Sequence, residues 1–392
     1  MKRIRLSGIL GSMLAVAAVM TPQLAKAQYT ANAGTETKDQ SVQADGFFPN
    51  EVWVWEGDSI TWKFAPKNEV HTVTFLTPGQ VRPMATPPVG PPAGTPVVGL
   101  PLGCASFPPY NASSTYTGTN CVSSAPTSGG TTFTVTFSNP GNYKLVCLVH
   151  TDMNGTVHVL QSSNPEKPFY AASLPFIQSD YDRQARDEAS DILKDNDNQG
   201  EEVQDYPRNN VIAGTGEIVA TGGGTQYRAV VRFLNPTIRI HAGDSVTWVN
   251  LDPTEPHTVT FGTENPAPGA FVPTAPAGLG TPAGDGTLTA TIACSPVPPL
   301  PKGTACDQEF GSEYSPNPGQ GYNPTTFLNS GFLQARAPDR TAPGLGVPPS
   351  GDAQLPPGTT RITITFPQPG NYYYHCALHD VDGMLGEVIV EK

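Results

Sequence analysis

Alternation dominates the chain. In Arg361-Ile362-Thr363-Ile364-Thr365-Phe366 every second residue is apolar, and Val52-Trp53-Val54-Trp55 and Ser245-Val246-Thr247-Trp248 are β-branched or aromatic and largely alternating. A two-residue period sets one face of a strand on a core and the other toward solvent. Pro140-Gly141 and Pro369-Gly370 read as turns between paired strands. Short strands broken by Gly/Pro turns predict an all-β protein made of Greek-key β-sandwiches. A helical period occurs once, over Ser179–Asp195, where Tyr181, Ala185, Ala189, Ile192 and Leu193 share a face. Asp180, Asp182, Asp187, Glu188 and Asp191 occupy the other face. The segment is expected to pack on a sandwich with a solvated acidic side; the alternative is an acidic docking surface for a basic redox partner.

The strand pattern is written twice. Gly57-Asp58-Ser59-Ile60-Thr61-Trp62 matches Gly243-Asp244-Ser245-Val246-Thr247-Trp248. Thr134-Val135-Thr136-Phe137 with Pro140-Gly141-Asn142-Tyr143 matches Thr363-Ile364-Thr365-Phe366 with Pro369-Gly370-Asn371-Tyr372. Each copy has domain length, so this is a tandem duplication rather than a solenoid. The expected organisation is a signal peptide at 1–27, a first domain at 28–161, an acidic linker with a short helix at 162–210, and a second domain at 211–392. Two long insertions, 76–130 and 262–358, are rich in Pro, Gly, Ser and Thr and read as loops.

Composition adds compartment and charge. Gly and Pro (40 and 42 of 392 residues) exceed a fifth of the chain, which demands many loops. Lys2, Arg3 and Arg5 precede the apolar run Ile9–Met20, and Ala25-Lys26-Ala27 is a small-x-small cleavage site. A secreted or periplasmic protein with Gln28 as its first mature residue is expected, and no second apolar run is long enough to span a membrane. Loss of residues 1–27, which hold four basic and no acidic residues, takes the net charge from −12 to −16. That disfavours nucleic acid and anionic membranes as partners. Of six cysteines, Cys104 with Cys121 and Cys294 with Cys306 fall as one pair per repeat, read as local disulfides.

The remaining two cysteines carry the chemistry. Cys147 is followed by His150 and Met153, and Cys376 by His379 and Met384. Upstream, His71-Thr72-Val73-Thr74-Phe75 matches His257-Thr258-Val259-Thr260-Phe261, and each His stands nine positions after its Trp. Thiolate, two imidazoles and a thioether form the ligand set of mononuclear electron-transfer copper. One loop supplies Cys, His and Met, and a distant His pins that loop to the sandwich.

By these motifs both repeats resemble small blue copper proteins of the cupredoxin superfamily. The second, Cys-x₂-His-x₄-Met, is like the plastocyanin loop, and the first, Cys-x₂-His-x₂-Met, is like the shorter amicyanin loop. The resemblance covers roughly 46–160 and 228–391, apart from the insertions. It implies two type 1 copper ions, one on His71, Cys147, His150 and Met153 and one on His257, Cys376, His379 and Met384. It also implies that His150 and His379 lie near the surface as electron ports; Leu148, Val149, Ala377, Leu378 and Leu385 around them read either as an apolar docking rim or as ordinary packing. The chain departs from the resembled pattern at two places in each repeat. Thr72 and Thr258 follow the upstream His where Asn is common. Val149 and Leu378 precede the second His where Pro is common, and so keep an N–H that can donate to the Cys sulfur.

Catalysis would need more copper than this. Four of seven histidines are spent as ligands, leaving His158, His241 and His375, with no His-x-His motif. A trinuclear oxygen-reducing centre is therefore disfavoured. His375 beside Cys376 is the one residue that hints at nitrite reduction, although a strand residue facing solvent or the insertion is the plainer expectation. Copper storage or delivery is disfavoured by six Met without a tract. The expected function is an electron carrier cycling Cu(I)/Cu(II), not an enzyme, with a basic redox protein such as a cytochrome or oxidase as partner.

Overall fold

The structure, a computed structural model, describes residues 26–80, 104, 112–124, 126–150, 152–163, 177–194, 207–261, 287–292, 306–308, 328–330, 333 and 360–392. The first half contains β1 (Gln28–Glu36), β2 (Val42–Phe48), β3 (Glu51–Trp55), β4 (Ser59–Phe64), β5 (Thr74–Phe75), β6 (Ser113–Tyr116), β7 (Val122–Ser123), β8 (Thr132–Phe137), β9 (Gly141–Val146) and β10 (Asn154–Leu160). Helix α1 (Gln178–Lys194) follows. The second half contains β11 (Asn210–Ala220), β12 (Thr225–Leu234), β13 (Thr237–His241), β14 (Ser245–Leu251), β15 (Thr260–Phe261), β16 (Thr287–Thr291), β17 (Cys306–Gln308), β18 (Leu328–Asn329), β19 (Arg361–Thr365), β20 (Gly370–His375) and β21 (Leu385–Glu391).

Sequence alternation becomes alternation of burial. In β8, Phe133, Val135 and Phe137 are buried while the threonines between them are not. The outward hydroxyls pair across strands, Ser59 with Thr136 and Thr61 with Thr134 at 2.8 Å, and likewise Ser245 with Thr365 and Thr247 with Thr363 at 2.8 Å. The inward residues build one core per half. Trp62 sits under Phe75 in the first, and Trp248 under Phe261 and Tyr374 in the second.

One ten-stranded sheet runs through both halves in the order β16-β19-β14-β11-β12-β2-β1-β4-β8-β6. The order is symmetric about its centre: each strand of one half has its counterpart at the mirrored place in the other. The halves join there through antiparallel pairing of β12 with β2, from Tyr227 opposite Asp45 to Val230 opposite Val42. Each half closes its sandwich with a second sheet, β3-β10-β9-β5-β7 or β13-β21-β20-β15-β18, with β17 added on β20. This relation turns the same face of each sandwich toward the other.

The helix forms where the period predicts it. Tyr181, Ala185 and Ile192 are buried, and α1 packs on the first half against Ala44 and Phe48. Its acidic face is exposed at Asp182, Asp187 and Asp191, but Glu188 departs from it. The Glu188 carboxylate turns inward and accepts the Asn50 N–H at 2.8 Å, tying the helix to the strand turn before β3.

The insertions are not loops throughout. They supply β6 and β7 in the first half and β16, β17 and β18 in the second; β6, β7, β16 and β18 add to β8, β5, β19 and β15, which would otherwise be sheet edges, and β17 pairs with β20. A Cys104–Cys121 disulfide closes with Cα atoms 5.4 Å apart. The expected Cys294–Cys306 pairing lies outside the described residues, as does nearly all of the leader. No described helix is long and apolar enough to cross a membrane.

Candidate metal centres

The upstream histidines sit just before β5 and β15, each held by backbone pairing to an insertion segment: His71 with Thr127, and His257 with Leu333. Cys147 and Cys376 sit just past the ends of β9 and β20. The loops they open are closed from within. The Cys147 N–H donates to the Met153 carbonyl at 3.0 Å and the Cys376 N–H to the Met384 carbonyl at 3.1 Å. Folding therefore brings His71, Cys147 and His150 together, and His257, Cys376 and His379, all six buried. Met153 and Met384 are buried beside them in the two cores.

The spacing fits a metal ion. His71 Nδ1 and His150 Nδ1 are 3.0 Å apart, and Cys147 Sγ is 3.7 Å from His150 Nδ1. In the second centre His257 Nδ1 and His379 Nδ1 are 3.2 Å apart, with Cys376 Sγ 3.9 and 3.5 Å from them. A trigonal ion with bonds of about 2.0–2.3 Å holds its nitrogens about 3.5 Å apart and its sulfur about 3.7 Å from each. Both triads converge on such a point through Nδ1, which leaves each Nε2 for other contacts.

Those contacts are carboxylates. Nε2 of His71 lies 3.6 Å from Asp45, and Nε2 of His257 lies 3.7 Å from Asp252. Both aspartates are buried, and Asp252 also accepts a hydrogen bond from the Tyr227 hydroxyl. Burial pushes the Asp45 carboxyl up to about 7 against the opposing pull of the histidines. Burial also disfavours the Cys147 and Cys376 thiolates, but the adjoining imidazoles overcome it and hold both thiols well below their usual range. His150 and His379 are pushed down by burial and then raised well above the usual range, His150 by Asp45 and Cys147, His379 by Cys376 and Glu255.

The threonines that stand in place of the resembled Asn do the work of tying the loops together. The Thr72 hydroxyl accepts the Leu148 N–H at 2.7 Å, and the Thr258 hydroxyl accepts the Ala377 N–H at 2.7 Å. Sulfur donors divide the two sites. Cys147 Sγ receives N–H groups from Thr72 at 3.4 Å, Val149 at 3.4 Å and His150 at 3.5 Å. Cys376 Sγ receives the Thr258 N–H at 3.3 Å, and among the described residues Leu378 makes no such bond. The longer second loop coils into turns in which His379 and Asp382 donate to the Cys376 and His379 carbonyls, both at 3.1 Å. The expected second donor therefore exists at Val149 and not at Leu378.

Two further expectations are corrected. His150 and His379 are not surface ports: they retain 4% and 2% of their exposure, because the facing half of the chain covers them. Of the two readings held for Leu148, ordinary packing is the one observed: it is buried with Val146 and Leu76. His375 is not solvent-facing either, since it is buried on β20 opposite Thr260, and burial pushes its imidazole down to about 4.

Reading the sequence missed the glycines and carboxylates that shape the pockets. Gly34 and Gly214 lie at matching irregularities of β1 and β11 with φ of 72° and 81°, conformations that suit glycine. A Cβ there would stand 2.2 Å from His71 Nε2 or 2.0 Å from His257 Nε2. Glu69 and Glu255, each two residues before an upstream His, also went unread. The signals were present as repeats, Ala33-Gly34-Thr35 with Ala213-Gly214-Thr215 and Glu69-x-His71 with Glu255-x-His257.

No protein-family model matches the chain, and no curated protein matches it. Among solved structures it is similar to a reduced Cu(I) amicyanin at pH 4, with 17% identity over 35% of this chain and 87% of that one and a TM-score of 0.20. It is similar to oxidised plastocyanin from Dryopteris crassirhizoma, at 13% identity over 46% and 99% with a TM-score of 0.19. It is also similar to a Cu-containing nitrite reductase from Thermus scotoductus SA-01, at 11% identity over 93% and 68% with a TM-score of 0.22. The paired sandwiches, with a Cys–His–Met loop between the last two strands of each, carry the assignment on their own. The fold is cupredoxin-like. In both cupredoxin-like halves the His/Cys/His triad lies at the end of the sandwich that faces the other half.

Proposed function

We propose that the chain is an exported electron-transfer protein with two type 1 copper sites, held by His71, Cys147, His150 and Met153 and by His257, Cys376, His379 and Met384. The observation that carries this reading is the pair of buried His/Cys/His triads whose donor atoms stand 3.0–3.9 Å apart, each next to a buried Met. Bound copper would supply one-electron Cu(I)/Cu(II) chemistry. The chain's part is to exclude water, to keep both thiols ionised and to hold the triads rigid. Thr72 and Thr258 pin the ligand loops for that purpose, and Gly34 and Gly214 make room for the imidazoles.

The spare histidines favour a carrier over an oxidase or a nitrite reductase. His158 stacks on Trp53 at 4.0 Å and contacts Glu51, His241 is exposed near Asp244, and His375 is buried on β20. They lie on separate elements and join neither triad. Acidity and the signal-like leader support export and a basic redox partner such as a cytochrome or oxidase. The decisive experiment is copper analysis of purified protein with optical and electron spin resonance spectra. Two copper ions per chain, both with the intense blue absorption of a thiolate ligand, are expected. Colourless protein, or additional copper with an ordinary square-planar signal, would overturn the reading.

A further inference from the structure

The seam between the halves holds a cluster that the copper sites alone do not require. Nε2 of His150 lies 3.0 Å from Glu69 and 3.6 Å from Glu255. Nε2 of His379 lies 3.5 Å from Glu255 and 3.9 Å from Glu69. Each carboxylate thus contacts an imidazole of its own half and one of the other half, through a different oxygen for each. All four side chains are buried, His150 4%, His379 2%, Glu69 7% and Glu255 8% exposed. Asn68 and Gln40 of the first half reach Asp382 of the second at 2.8 and 3.3 Å and seal the edge of the seam.

We propose that Glu69 and Glu255 are positioning residues that join the two centres into one closed redox unit, through paired imidazole–carboxylate–imidazole bridges between His150 and His379. The inference rests on the proposed copper reading. Each bridge is a short path of bonds and close contacts of 3.0–3.9 Å, and the two bridges run side by side. With copper held at both triads, one electron supplied by a redox partner would pass between them, the centre that loses it being oxidised as the other is reduced. Burial makes the two negative charges matter more than they would at a surface, because little solvent screens them. They favour the oxidised, more positive state of both centres at once. Both imidazole edges are buried at the seam, so the path between the halves is internal.

The test is spectroelectrochemistry of the copper-loaded full chain and of Glu69→Gln and Glu255→Gln, which keep side-chain volume and an acceptor oxygen but remove the charge. Each single variant should raise the potential of both sites. The expected shift is at least tenfold in the ratio of oxidised to reduced protein at fixed potential, which is about 59 mV for one electron. A purely local or structural role would move one site or neither, and that result overturns the proposal. Pulse radiolysis of the E69A/E255A double variant should show exchange between sites at least tenfold slower than in E69Q/E255Q, with both blue spectra retained. An unchanged rate overturns the bridge, as does a third metal ion held at the seam, which would make the Nε2 atoms ligands rather than donors. Absence of blue copper in the unaltered chain would defeat the copper reading and the bridge together. Blue copper with unmoved potentials would defeat the bridge alone.

Discussion

Replacing Val149 by Pro removes one N–H from the Cys147 sulfur while leaving the ligands untouched. The bond is 3.4 Å long and is one of three N–H donors to that thiolate. Donors to the sulfur draw off its charge, which stabilises Cu(I) over Cu(II), so losing one should lower the potential of the first site. A hydrogen bond to a charged group contributes about 1.5–3 kcal/mol, and only the part that differs between oxidation states counts. Taking that part as about 1.4 kcal/mol gives a fall of about 60 mV for one electron. The structure supplies its own control. Leu378 occupies the same position before His379, but its N–H makes no bond to Cys376 Sγ among the described residues. Leu378→Pro should therefore leave the potential of the second site within about 15 mV of its starting value, a shift that corresponds to about 0.3 kcal/mol. The assay is spectroelectrochemical titration of both variants, with optical spectra to confirm that both sites stay loaded. Equal shifts in the two variants, or an unmoved first site in Val149→Pro, would refute the reasoning that sulfur donors distinguish the centres.

Gly34→Ala and Gly214→Ala should each empty the neighbouring site and lower stability. A left-handed conformation alone costs a non-glycine residue about 1–3 kcal/mol, and the new Cβ would overlap an imidazole; copper analysis and thermal denaturation check both. Thr72→Val should cost about 1–3 kcal/mol, because it keeps shape but leaves the buried Leu148 N–H without its acceptor, and Thr72→Ser should restore most of the loss. Denaturant midpoints of the three proteins decide it, and equal stability of the Val and Ser variants would remove the loop-tie role. Loading the metal-free protein with copper near neutral pH should release protons, since His150 and His379 carry values raised well above the usual imidazole range and must lose their protons to bind. The sign follows: affinity for copper falls as pH drops through those raised values. Titration in unbuffered solution at constant pH measures the release, and copper uptake with no proton released would contradict it.

The eight residues put forward as ligands were legible because their chemistry is rare and their spacing repeats. A Cys, a His and a Met within one loop, matched by a His nine residues after a Trp, leaves few alternatives, and of the eight the structure gathers six around two points: His71, Cys147 and His150, and His257, Cys376 and His379. The strands were legible for a similar reason, since Thr-x-Thr alternation states which side chains point inward. What the sequence did not disclose is the relation between the halves. Each half reads as a self-sufficient sandwich with its second His at an exposed end, and nothing local to His150 or His379 says that another copy will cover it. The cover comes from β12 pairing with β2, a contact between residues more than 180 positions apart, as Tyr227 with Asp45. Glu69 and Glu255 show the same limit. Each reads locally as an ordinary polar residue in a turn before a strand, where a solvated carboxylate is unremarkable. Only duplication gave a clue, because both copies place Glu two residues before the upstream His. A position repeated in both copies of a duplicated domain, yet unnecessary to either copy alone, is a candidate for the surface on which the copies meet. By that criterion Glu69 and Glu255 mark the seam, whereas Gly34 and Gly214, repeated as well but needed within each half to make room for its own imidazole, do not.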